Sequence, residues 1–203
     1  MEQRIKELIP KDKGKSAILF EDGTEVVLYK GEVSKLGLKE GMVVSEELYH
    51  QIMVEILGMR AKKRAMHLLE RQDRTEKQLY DKLKQNGYPE SCIEEAVSYV
   101  KSYHYIDDLR YARNHIRYHQ EKKSLQRLKV DLMRKGVSKE VIEAAIEEEY
   151  LFDEKRKIRE LLEKKHYSNG TMDENSKRKI YQFLLRRGFK SSDVLSVMRE
   201  YDF

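Results

Sequence analysis

Tryptophan is absent from the 203 residues, cysteine occurs once and proline twice. The lone Cys92 excludes a disulfide scaffold and a four-thiolate zinc site, and a reducing cytoplasm is the matching compartment. So few prolines leave helices free to dominate. No apolar run approaches the roughly 20 residues of a membrane helix, and none follows a basic start as in a secretory leader. The expectation is a cytoplasmic protein that makes no membrane contact, in which Asn169-Gly170-Thr171 is only a turn. Apolar residues are few, 39% against 38% charged, and mean hydropathy is −0.79. That composition supports helices with one buried stripe each and leaves little for a thick central core.

The net charge of +5 is modest, but it is unevenly spread. Residues 1–59 carry eight cations against eleven carboxylates, net −3, and residues 60–135 carry 19 against 11, net +8. Residues 136–153 carry one against six, net −5, and residues 154–203 carry 13 against eight, net +5. Positive charge gathered in this way is what a polyanion contact surface requires.

The first third reads differently from the rest. "AILFEDGTEVVLY" (17–29) places two β-branched and aromatic runs around Asp22-Gly23, a hairpin signal. "RIKELI" (4–9) supplies a third strand, "KGEVSKLGLKEG" a short helix, and Ser45 begins a helical approach to the next part of the chain. From about residue 57 the pattern is helical and repeats around Gly87, Gly136 and Gly188. Eight and four residues before each stand Leu79 and Leu83, Leu128 and Leu132, Ile180 and Leu184. Directly after come Tyr88, Val137 and Phe189. Six, nine and ten residues on come Ile93, Ala96 and Val97; Ile142, Ala145 and Ile146; Val194, Val197 and Met198.

The physical content of this pattern is a helix ending at a left-handed glycine, an apolar residue folding back on that end, and a Ser- or Asp-capped second helix. One more amphipathic segment precedes each pair, at 60–71, 108–122 and 154–165. The predicted fold is mainly α: tandem three-helix bundles, elongated or curved, after a small β-rich N-terminal domain. The expected divisions are 1–56 for the β-rich part and 57–105, 106–150 and 151–203 for the repeats.

Within "YHYIDDLRYARNHIRYHQEKK" (103–123) two adjacent carboxylates precede a basic, aromatic run. On a helix from Asp108, Leu109, Ala112 and Ile116 share one arc, Arg110, Arg113 and Arg117 a second, and Tyr111, Tyr118 and Lys122 a third. Asp107 sits at the N-cap, and Asp108 in the first turn complements the helix dipole. A metal-dependent nuclease would need further converging carboxylates, and no such set is present.

This stretch resembles a family. "YIDDLRYA" (105–112), with Tyr105, Asp107, Asp108 and Ala112, is similar to the motif Tyr-Ile/Leu-Asp-Asp-x-Arg-Phe/Tyr-Ala of the RecX regulatory proteins. "LKVDLMRKGV" (128–137) looks like that family's Leu-x-x-x-Leu-x-x-Lys-Gly helix end, and the tandem three-helix pattern agrees over roughly 58–203. His104 stands where a glycine often precedes the tyrosine, and "EKKSLQR" lacks a glycine usual between helices. The resemblance implies a non-enzymatic modulator of the RecA recombinase, bound in the groove of the RecA filament on single-stranded DNA. It would suppress ATP hydrolysis, strand exchange and coprotease activity, and so act in DNA repair, recombination and the SOS response. A monomer that needs no cofactor is expected.

The candidate contact residues form a basic face. The pairs Arg134-Lys135 and Arg186-Arg187 recur beside the glycine in two units, with Arg110, Arg113, Arg117, Lys122, Lys123 and Arg127 nearby. Cations in a last helical turn also complement the dipole, so a structural role competes. "GKS" (14–16) lacks the earlier glycine of a phosphate loop, since position 9 is Ile9, and it precedes a strand. His115 and His119 share a helix face without a third ligand. Cys92, after an expected N-cap, reads as a half-buried structural residue. The competing functions are a module that only coats DNA and, remotely, a metal-dependent nuclease.

Overall fold

The computed structural model describes residues 3–11, 14–168 and 170–201. Four antiparallel strands, β1 (Gln3–Lys11), β2 (Lys15–Phe20), β3 (Glu25–Tyr29) and β4 (Val43–Val44), pair in the order β3-β2-β1-β4. The turn at Asp22-Gly23 is a longer loop with Gly23 alone at positive φ, +87°, and the Asp22 carboxylate accepts from Thr24 N at 2.8 Å. One face of the sheet buries Ile5, Ile18, Phe20, Val26, Leu28 and Val44 completely.

Two short helices come next, α1 (Lys30–Lys35) and α2 (Glu46–His50). Ser45 caps α2, accepting from Leu48 N at 3.3 Å. The helix widens over Gln51–Gly58 into a π-helical stretch, where Met59 N–H reaches back to Val54 C=O, and continues as α3 (Met59–Arg71). Helical backbone therefore begins about ten residues before the periodicity shows it, because a π turn shifts the apolar stripe off the 3.6-residue repeat. With α4 (Glu76–Gln85) and α5 (Glu90–Ser102), α3 completes the first three-helix group. It shares one continuous apolar core with the sheet, from Ile5 through Ile52, Leu79 and Ile93 to Ile106. Residues up to Asp107 make up one compact unit.

From Asp108 on lies the second unit. It contains α6 (Asp108–His119), α7 (Leu125–Arg134) and α8 (Lys139–Glu149), then α9 (Glu154–Lys164), α10 (Glu174–Arg186) and α11 (Ser191–Arg199). Its two groups of three each have a core, one around Ala112, Ile116, Leu128, Leu132 and Ile142, the other around Ile158, Leu162, Leu184, Val194 and Val197.

The repeat read from the sequence is present as three tandem helix triplets. After α4, α7 and α10 the chain turns through Gly87, Gly136 and Gly188 at φ +80°, +88° and +87°. Tyr88, Val137 and Phe189 N–H then donate to Leu83, Leu132 and Leu184 C=O at 3.4, 3.2 and 3.3 Å, closing Schellman motifs. Some expected details differ. Ser138 caps α8, but Pro89 and Lys190 precede α5 and α11, leaving Ser91 and Ser191 inside their helices. The segment expected at 108–122 ends as helix at His119, where Lys122 and Lys123 N–H both turn back to His119 C=O at 3.0 Å.

Candidate interaction surface

The YIDDLRYA motif spans the join of the two units. Ile106 is buried in the first core, while Tyr105 is exposed and lies 6.2 Å, ring to ring, from the exposed Tyr103. Asp107 precedes α6 at the cap position and Asp108 is the acidic residue of its first turn. Ala112 is fully buried, since its methyl faces the second core beside Ile116.

All ten candidate cations fall in the second unit. Arg113 bridges Glu148, and Arg117 grips Glu149 with Nε at 3.1 Å and Nη2 at 2.6 Å. The Arg117 guanidinium in turn holds the Glu149 carboxyl below its usual range. Lys123 and Arg127 converge on Asp131 at 2.8 and 3.3 Å. The acidic stretch after Gly136 thus lies against basic α6 inside one triplet and neutralises part of the face expected to be open. Lys135 stands over the Tyr111 ring at 5.6 Å and Arg187 over Phe183 at 4.8 Å. Arg110, Lys122, Arg134 and Arg186 are exposed. Among the described residues, no carboxylate is paired with Lys122, Arg134 or Arg186.

The second and third triplets are clasped together by residues that no motif in the sequence marks. Ser124 Oγ caps α7, accepting from Arg127 N at 3.2 Å, and donates to Arg187 C=O at 2.8 Å. Leu125 N donates to Glu154 at 3.1 Å and Leu151 N to the Gln120 side chain at 3.1 Å. Lys157 is only 6% exposed, and its ammonium donates to Lys123 C=O at 3.1 Å and to Tyr150 Oη at 3.0 Å. Burial pushes its pKa down, and Glu154 at 3.8 Å opposes that shift. The signal for Lys157 was a lysine on the apolar arc of α9, beside Ile158 and one turn before Leu161.

His115 and His119 face one another, ring centroids 4.5 Å apart. Burial, then His119, Lys123 and Lys135, push His115 down to about 4, with Asp131 opposing. Cations crowding the pair disfavour a metal ion, and no group of three or more metal-ligating side chains occurs among the described residues. Cys92 is buried instead of half-buried, its Sγ 3.2 Å from Met53 C=O, and burial raises its thiol pKa. Gly14 lies in the turn before β2, so "GKS" opens no helix. Among the described residues no helix is long and apolar enough to cross a membrane.

Comparison with known proteins agrees with this architecture. Residues 61–99, 107–146 and 153–198 match the first, second and third three-helix domains of RecX. The regulatory protein RecX of Caldanaerobacter subterraneus subsp. tengcongensis is 34% identical over 193 residues, covering 94% of this chain and 95% of that protein. That of Clostridium acetobutylicum is 30% identical, covering 81% and 79%. A crystal structure of regulatory protein RecX superposes with TM-score 0.63 at 22% identity, covering 96% and 98%. RecX from Lactobacillus salivarius gives 0.58 at 25% identity, covering 71% and 96%. The motif, the three helix triplets and these likenesses coincide along the chain, which belongs to the RecX family of regulatory proteins.

Proposed function

We propose that this chain binds the RecA filament on single-stranded DNA as a monomer in the cytoplasm. It limits filament growth, ATP hydrolysis and strand exchange, and so acts in DNA repair, recombination and the SOS response. The observation that carries the reading is family membership through all three helical domains. The chain divides into a β-rich part at 1–56 and repeats at 57–105, 106–150 and 151–203, the β-rich part and the first repeat sharing one core. The protein does its work by binding, without metal or nucleotide of its own.

Charge placement refines which residues make the contact. Arg113, Arg117, Lys123 and Arg127 bridge carboxylates of their own triplet, and separating such pairs costs part of what a new contact would gain. The exposed Lys122, Arg134 and Arg186 are therefore the principal contact cations. Surplus cations also favour a second reading, in which the protein simply coats DNA.

RecA-catalysed ATP hydrolysis on single-stranded DNA separates the two. Filament control predicts strong inhibition well below one copy per RecA protomer. Inhibition only when enough protein is present to cover the DNA would assign the effect to coating. The variant Lys122→Ala, Arg134→Ala, Arg186→Ala should keep its fold, since such surface changes move stability by less than about 0.5 kcal/mol each, and should inhibit poorly.

A further inference from the structure

The third triplet breaks its own repeat on one face. Seven residues after the turn glycine, the first two triplets place the exposed Glu94 and Glu143, and the third places Leu195. Eleven residues after the glycine they place Ser98 and Glu147, and the third places Arg199. Leu195 is 41% exposed and lies outside the apolar stripe that builds the triplet's core. A solvated, partly acidic helix face has become apolar and cationic at this one site.

Those residues line a groove of about 340 Å³ between α10, α11 and the chain at Tyr167, within the lower range of ligand sites, roughly 300–1,000 Å³. Its floor is Leu195, Met198, Tyr181 and Tyr167, the last three continuous with the core. Its rim carries Arg178 and Arg199, together with Glu174 and Lys177, which pair at 2.9 Å and cancel. Among the described residues, Arg178 and Arg199 have no carboxylate partner. Helix ends alter this little: Asp173 already caps α10, and Arg199 lies in the last turn of α11, where a cation offsets the dipole.

We infer that this groove docks a short acidic peptide segment of a partner protein, with an aliphatic side chain on Leu195 and Met198 and carboxylates on Arg178 and Arg199. A small apolar floor inside a cationic rim suits that chemistry: the anchor supplies burial, and two arginines offer forked donors to carboxylates. A nucleic acid backbone would match the arginines but leave the apolar floor uncovered. The site is independent of RecA being the partner.

Fluorescence anisotropy of the full chain with three labelled probes tests it: a Glu-rich ten-residue peptide with two leucines, the same peptide with Lys for Glu, and a ten-residue oligo(dT). The acidic peptide should bind, its lysine counterpart at least tenfold more weakly. Leu195→Glu, which installs what the other triplets carry, should weaken the acidic peptide at least tenfold, and so should Arg178→Gln with Arg199→Gln, all with unchanged circular dichroism melts. No binding of the acidic peptide, equal binding by the variants, or an oligo(dT) preference that these substitutions remove would each overturn the assignment.

Discussion

His104 and His166 hold left-handed backbone angles, φ +57° and +50°, at the turns that end α5 and α9. Tyr105 N–H to Val100 C=O and Tyr167 N–H to Leu162 C=O, both 3.0 Å, close those turns as they do at the three glycines. The family's preference for glycine before the motif tyrosine thus has a cause, since the β-carbon is what the position disfavours. His166→Gly should stabilise the protein by roughly 0.5–1 kcal/mol, the left-handed penalty less the added chain entropy, read as a higher urea midpoint; a lower one would show that the imidazole makes a stabilising contact of its own. His115 makes a different prediction. Its folded pKa of about 4 lies below the ordinary 6.5, so the unfolded chain binds more protons between those values. Its contribution is complete above 6.5 and is lost as pH falls towards 4. The urea midpoint should fall over that window, and His115→Gln should flatten the fall. An equally steep fall in the variant would place the sensitivity elsewhere.

Elements repeat in this chain, but their surroundings do not. A β-carbon at Gly87 would meet only a Val27 methyl at 3.9 Å, whereas at Gly188 it would strike Ser124 Oγ at 2.7 Å. Gly87→Ala should cost roughly 0.5–1 kcal/mol, the left-handed penalty less the chain entropy that alanine removes. Gly188→Ala carries that penalty and also disrupts the Ser124 clasp, so its thermal midpoint should fall clearly further; equal losses would mean that Ser124 yields freely. The sequence made the triplets legible because a glycine with apolar residues at fixed offsets is local information. The clasp of Lys157, Tyr150 and Glu154 was not legible, nor were the bridges from α6 to Glu148 and Glu149, because they join residues that only tertiary packing brings together. The π-helical stretch escaped for another reason: its wider turn has no 3.6-residue signature. The two-residue β4 is too short for any alternation to show.

At the scale of the molecule, the uneven charge divides by role. In the second unit the acidic stretch after Gly136 is set against α6, and the surplus cations remain on the exposed surface. Interleaved carboxylates weaken attraction to a bare polyanion but still permit recognition of a patterned protein surface. The filament should therefore outrank naked DNA as a target. The direct measurement is binding of the protein to one immobilised single-stranded oligonucleotide, bare and RecA-coated, at the same salt and with a non-hydrolysable ATP analogue. Binding to the coated strand should be at least tenfold tighter. Equal or tighter binding to the bare strand would contradict a filament-directed role.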